Sequence, residues 1–397
     1  MLTASALALA LVLSLLMRSI QEGSFSTNIE NIARLSTGLI QLQHPQFKDS
    51  QSIDDLLPQS LSFIEYAQQH PYIATVLPRI ESFALAAATD KSKGVMISGI
   101  DPQKEEVYSH LSEKLIAGNY FSADTIIPLH QQILIAEGLA AQLGVTLGDE
   151  VVLYGQGYRG QTAAGLYLVH GILYFPMKEL NNQLLYMPLQ SAQQLYSTGG
   201  LVTSWVLHTK KFKQVEQVTA DLQLFYAKDV SVRNWQDLSP DLAQQIFMDR
   251  NSGLFLMYLL YGIVGFALFS TLLMMTLERQ REFAVMLATG LLRSKLIILI
   301  SIESSIIGLF GICLGLVIVL PILIWLFFNP ITLSGETAQM MLDMGYKPII
   351  PVLLDPLLFI HQVMIVLVLL VFCLIYPMWR LYKMDLVSAL KGGAHAN

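Results

Sequence analysis

Glu278, Arg281, Glu282, Phe283, Met286, Leu287, Gly290 and Arg293 are the residues whose types and spacing carry the clearest chemical content in this 397-residue chain. Phe283, Met286, Leu287 and Gly290 recur at i, i+3, i+4 and i+7, which lays one apolar stripe along a short helix; the charged residues bracket it, joined by Arg279 and Lys295. The chemistry is recognition: an apolar helical face with a charged rim, placed at a membrane surface and left for a partner to grip. Gly290 ends the stripe where a helix C-cap is expected. Catalytic constellations are missing from the sequence. It holds no G-x-x-x-x-G-K-S/T loop, no H-E-x-x-H, no G-x-S-x-G and no C-x-x-C, and its eight histidines are scattered without metal-ligand spacing. The acid pairs Asp54-Asp55 and Glu105-Glu106 read as solvated faces. The chain therefore reads as a non-enzyme with no metal and no directly bound cofactor.

The elements that must position this helix are membrane spans. The chain is 53% hydrophobic and 14% charged with a mean hydropathy of +0.51, whereas soluble domains carry about 25% charged residues. An acidic balance arises in one block, 18–250, where 16 basic residues face 23 acidic ones, and nothing suggests a nucleic-acid partner. Cys313 and Cys373 both lie in apolar runs and read as packing residues.

Residues 1–17 form an apolar run shorter than the about 20 residues a span needs. It reads as a short first span, with a signal peptide as the competing reading; a signal peptide would want a basic segment before the run, and none is present. Both readings place the next segment outside the cytoplasm. Residues 18–250 read as a large α+β domain, with strands at 38–43, 94–100 and 150–154 and helices at 104–117, 137–143 and 212–224. The glycine-rich stretch 155–165 reads as an internal boundary or an exposed hairpin. Ser239-Pro240 is a helix start, and the helix is expected to continue through Asn251-Ser252-Gly253 into a second span, 251–277, making a rigid stalk. The loop 278–295 precedes a third span, 296–328, where Pro321 predicts a kink or an exit. Glu303 inside that span is expected to reach the interface or pair with Lys295. A polar connection at 329–355, a fourth span at 356–379 and a tail at 380–397 complete the chain; His361 in the fourth span reads as a packing or interface residue. Four basic residues in 278–295 and three in the tail, against one in 329–355, put loop and tail in the cytoplasm and the large domain outside. The expected fold is an α-helical membrane protein with four transmembrane helices and a large α+β extracytoplasmic domain between the first and second.

Two stretches then carry a resemblance. Glu278-Arg-Gln-Arg-Glu-Phe-Ala-Val-Met-Leu-Ala-Thr-Gly-Leu-Leu-Arg293, and Tyr376-Pro-Met-Trp-Arg380 followed by Met384-Asp-Leu-Val-Ser-Ala-Leu390, resemble the cytoplasmic loop and closing segment of the FtsX-like permeases. These are transmembrane subunits of ABC systems that include the macrolide exporter MacB and the lipoprotein-releasing permeases. Ser36-Thr-Gly-Leu-Ile-Gln-Leu42, Gly99-Ile-Asp-Pro102 and 135–149 are similar to the family's outer core domain. Leu287 stands where the family has a basic residue, Leu386 where it has proline, and the chain opens without the basic segment that relatives carry before the first span. The resemblance implies a bacterial inner-membrane permease with a separate cytoplasmic ATPase that brings ATP and Mg. It also implies a second permease, identical or paralogous, contacts with membrane lipids, and a lipoprotein or other periplasmic partner. The eight residues that open this section are then the ATPase-coupling residues. Layout points to lipoprotein release, with efflux of an amphipathic compound or control of a cell-wall hydrolase as alternatives; a membrane-anchored sensor or adhesion domain would leave the 282–290 stripe without a purpose.

Overall fold

The computed structural model describes residues 2–35, 37–123, 127–343 and 348–383. They form two compact units, one of 26–244 with 333–348, the other of 1–25, 245–332 and 349–397. Two of the four boundaries between the units fall within long helices, α1 (Leu2–Leu35) and α5 (Pro240–Glu278).

The first unit is built on a mixed sheet. In chain order its strands are β1 (Ile40–Gln43), β2 (Ile73–Ala88), β3 (Lys91–Ile100), β4 (Leu115–Gly118), β5 (Gln132–Ala136), β6 (Glu150–Gln156), β7 (Thr162–Leu173), β8 (Leu184–Pro188), β9 (Ser204–Thr209) and β10 (Ser231–Asn234). They lie in the order β10-β1-β9-β2-β3-β8-β5-β7-β4, with β6 bridging β2 and β7. The pairs β3–β8 and β5–β7 are parallel and the remainder antiparallel. Helix α2 (Pro102–Ser109) starts where Asp101 accepts hydrogen bonds from the Gln103 and Lys104 amides and Pro102 occupies the first turn. Helix α3 (Glu137–Leu143) ends at Gly144, whose φ of 73° supplies the left-handed cap. Helix α4 (Val215–Tyr226) buries Val218 and Leu222.

Several expectations change here. The helix expected over 104–117 stops at Ser109, because His110 turns left-handed at φ 49° and the chain enters β4 instead. Of the two readings of 155–165 the hairpin holds, with residues 157–161 joining β6 to β7. Glu105 is not on a solvated face. It is 1% exposed and takes two hydrogen bonds from Arg79, from Nη2 at 2.6 Å and Nε at 3.2 Å. Arg79 also faces Glu81 at 3.6 Å. Burial alone would lower the arginine's pKa, but Glu105 and then Glu81 hold it above its ordinary value. His208, 1% exposed, stacks on Tyr108 with centroids 3.4 Å apart, and Arg34 lies over the same tyrosine at 5.6 Å. Neither ring nitrogen of His208 has a hydrogen-bond partner among the described residues.

The second unit holds four helices long and apolar enough to cross a membrane: α1, α5, α7 (Arg293–Phe328) and α8 (Pro356–Tyr382). The expected first span at 1–17 is only the front of α1, which carries on to Leu35, since no proline or cap interrupts it. Helix α5 runs unbroken through Gly253, where an added Cβ would lie 2.0 Å from the Gln21 amide of α1. Glycine is retained there for close approach. Glu22 of α1 meets Arg250 of α5 at 2.8 Å and Arg18 at 3.0 Å. Helix α7 does not end at Pro321. Its Gly311 and Gly315 receive α1 so closely that a Cβ at either would meet the carbonyl of Ala4 at 2.8 Å or of Ala8 at 3.1 Å. The buried Gln362 of α8 accepts a hydrogen bond from Tyr261 of α5. The 329–355 connection carries a short strand pair, Ile331–Thr332 with Ile349–Ile350, and a helix, Glu336–Asp343; Lys347, expected as its single basic residue, lies outside the described residues.

Two measurements follow from the buried charges. Glu105→Leu takes the bidentate partner from Arg79 and is expected to cost about 3 kcal/mol, whereas Arg79→Met with Glu105→Leu recovers only part of it because Glu81 then loses its cation; chemical denaturation of the full chain in detergent reads both. Burial, with Arg79 and Arg34 nearby, holds the His208 pKa well below the ordinary value. The unfolded chain therefore takes up the proton first, and stability is lost as pH falls below about 6.5. His208→Phe is expected to flatten the thermal midpoint between pH 7 and 5, values that bracket the histidine range.

Candidate functional site

Helix α5 ends at Glu278, Arg279 leaves helical geometry with ψ near 6°, and α6 (Gln280–Ala288) begins at once. At its other end Gly290 adopts a φ of 103°, its amide bonds to the Leu287 carbonyl at 3.1 Å, and the Leu291 amide bonds to the Met286 carbonyl at 3.1 Å. This is the Schellman arrangement, in which glycine takes the left-handed position and two terminal carbonyls are satisfied. The C-cap at Gly290 is thus where the sequence places it.

The stripe itself faces the other way. Phe283 is 2% exposed, Ala284 0% and Leu287 9%, and together they pack on Leu296 and Ile300 of α7 and Leu381 of α8, with Met286 partly covered against the same cluster. The apolar face expected to be left for a partner is consumed by the chain's own spans. The reason is proximity: α7 begins only four residues after α6 ends, so its apolar first turns are the nearest surface able to exclude water from the stripe. What α6 presents outward is Arg281, Glu282, Val285, Ala288 and Thr289, continued by Leu291 and Leu292. Val285 is 48% exposed and Leu292 66%. Glu278 and Gly290 are also exposed, whereas Arg293 is half-buried and donates from Nη1 to the Tyr382 carbonyl.

Sequence reasoning missed the residue that ties the site together. Arg279 donates twice to Glu303, at 2.6 and 2.8 Å, and once to Glu282 at 3.2 Å, with its guanidinium 5.3 Å from the Phe283 ring centre. Lys295 had been the expected partner of Glu303. Eight residues along one helix separate the two by about 12 Å, beyond any side-chain reach. Both bonds to Glu303 leave Nη1, one to each carboxylate oxygen, and Nε is the atom that reaches Glu282. His361 is exposed on α8, beside the buried Gln362 that the sequence reading passed over. Lys383 lies over Trp379 at 4.4 Å, while 384–390 of the resembling tail falls outside the described residues. No group of three or more metal-ligating side chains occurs among the described residues.

The model of the MacB-like periplasmic core domain matches residues 1–224, and that of the FtsX-like permease C-terminal region matches 254–386. The chain belongs to the FtsX-like permease family with a MacB-like core domain. The permease is 26% identical over 340 residues to the lipoprotein-releasing system transmembrane protein LolC of Xylella fastidiosa, covering 83% of this chain and 80% of that protein. It is 24% identical over 264 residues to LolC of Neisseria meningitidis, covering 64% of this chain but only 62% of the relative's length. The periplasmic region of MacB from Actinobacillus actinomycetemcomitans superposes over 54% of this chain and 97% of its own, with 18% identity and a TM-score of 0.36. The permease is thus a multi-pass membrane protein of the ABC transporter class.

Removing the Glu303 carboxylate should loosen α6. Glu303→Gln is expected to speed tryptic cleavage after Arg281 several-fold in inverted membranes, and the exchanged pair Arg279→Glu with Glu303→Arg should restore protection.

Proposed function

We propose that this permease works with a separate cytoplasmic ATPase that brings ATP and Mg, and that it pairs with a second permease, identical or paralogous, in the bacterial inner membrane. The proposed work is lipoprotein release. The single observation that carries the reading is the alignment to LolC across four fifths of both chains, spanning the core domain and the membrane helices alike. The layout of charge agrees with it, because the basic residues around α6 favour a cytoplasmic position for the helix and an outer position for the core domain.

The proposed docking face is the outward one: Val285, Ala288 and Leu292 with Arg281 and Glu282 at the rim. Phe283, Met286 and Leu287 act from beneath, fixing the helix on α7 and α8, while Gly290 and Arg293 set the return into the membrane and Glu278 closes the stalk helix. Force from the ATPase would enter at α6 and pass along α5. The Arg279–Glu303 bond keeps α6 from hinging at the end of α5.

Covering what remains exposed of Val285 and Leu292 is worth about 2–3 kcal/mol before association costs, against about 0–1 for an exposed rim pair. Val285→Asp with Leu292→Asp is therefore expected to weaken ATPase association at least about a hundredfold while the permease remains inserted and folded. Glu282→Gln should be mild. Retention of the ATPase by the double variant would remove this face from the interface. Depleting the permease should leave acylated lipoproteins in the inner membrane; normal lipoprotein sorting together with sensitivity to amphipathic compounds would favour efflux instead.

A further inference from the structure

A cavity of 370 Å³ opens on one face of the core-domain sheet. The strand register decides what lines it. Glu81 of β2 pairs with Ser98 of β3, and Phe83 with Met96; on β8, Tyr186 pairs with Ser98 and Leu184 with Met96. Because alternate residues share a face, these six side chains line a common wall. Gln41 and Gln43 of β1 and Phe47 line the same cavity, and Gln41 hydrogen-bonds Glu81.

The floor carries an electrostatic imbalance. Arg79 is one cation set against two carboxylates, Glu105 at 2.6 Å and Glu81 at 3.6 Å, and Glu105 takes the bidentate contact. Glu81 holds the weaker share, with Ser204 donating to it at 3.4 Å, and 24% of its side chain remains accessible from the cavity side. Desolvation raises its pKa despite the pull of Arg79. A carboxylate in that condition is stabilised by an incoming positive charge. Above it the wall is apolar, and the apolar strip continues on the same face through Leu85, Val152, Tyr154 and Leu166, which are 44–57% exposed. Exposed Lys48 and Asp237 and half-buried Arg233 also line the cavity. Arg233 donates to Ser231 at 3.1 Å.

We infer that this cavity binds an organic cation, a primary ammonium group seated at Glu81 with its hydrocarbon body against Phe83, Met96 and Leu184. A small amphipathic amine and a lysine side chain flanked by apolar residues present the same chemistry. The inference stands apart from the transport reading, since it rests on the core domain alone.

Fluorine NMR of the full chain in nanodiscs tests it, with para-fluorobenzylamine as probe and para-fluorobenzyl alcohol and para-fluorobenzoate as neutral and anionic controls. The amine is expected to bind saturably, with both controls about tenfold weaker or more. Glu81→Gln should weaken the amine about tenfold and leave the alcohol unchanged. Phe83→Ala, at a position 55% exposed and so tolerant of truncation, should weaken amine and alcohol alike. Displacement of the amine by an end-capped Leu-Lys-Leu peptide identifies a lysine side chain as the natural occupant; no displacement identifies a small amine. Tighter binding of the benzoate, which would place the ligand on Lys48 and Arg233, overturns the proposal, as does undiminished amine binding by Glu81→Gln.

Discussion

Close approach of α7 to α1 is the contact on which the membrane unit depends. Lipid gives helices little hydrophobic reason to associate, so packing must come from shape. Gly311 and Gly315 remove two side chains from α7 at the level of Ala4 and Ala8, and Leu7, Leu11 and Leu15 of α1 can then enter a cluster shared with Tyr261, Leu268, Val319 and Leu370. Any side chain at Gly311 would push α1 away and open that cluster along its length. Once α1 is fixed, Glu22 can reach Arg250 and Gln21 can cover Gly253. Two helices that each run past the ends of an ordinary span are thereby joined side by side within the membrane unit.

The same economy of surfaces governs α6. A nine-residue helix has too few backbone hydrogen bonds to stand alone in water, and it persists because three of its side chains are buried on α7 and α8. The apolar stripe is therefore a foundation, and the exposed apolar groups are Val285 on the opposite face with Leu291 and Leu292 beyond it. The Arg279 guanidinium adds to this foundation, joining Glu282 of α6 through Nε to Glu303 of α7 through Nη1.

In the core domain, polarity is concentrated on one face of the sheet. Arg79, Glu81, Glu105, Tyr186 and His208 lie where a small domain would ordinarily place leucine or valine. Such groups are costly unless partnered. Arg79 and Glu105 are fully partnered, Glu81 partly, and His208 stacks between groups that leave its nitrogens bare. That gradient from satisfied to unsatisfied makes this face the chemically responsive part of the domain.

The sequence by itself determined everything that depends on local composition or near neighbours. Four apolar runs marked the membrane helices, Ser239-Pro240 marked the start of α5, and Gly290 marked a cap because capping is settled within a few residues. The two matching stretches, 278–293 and the closing segment 376–390, carried the family resemblance. Tertiary structure alone decided which face of each element is covered. The periodicity of Phe283, Met286 and Leu287 declares a buried face without saying what buries it, and α7 was nearer than any partner. Glu105 looked like half of a solvated pair because Arg79, its partner, is 26 residues away and on another element. The sequence offered Glu303 the interface or Lys295, and the turn between α5 and α6 brings Arg279 round to it instead. Pairing across a fold is a matter of distance in space, and a linear pattern carries no measure of it.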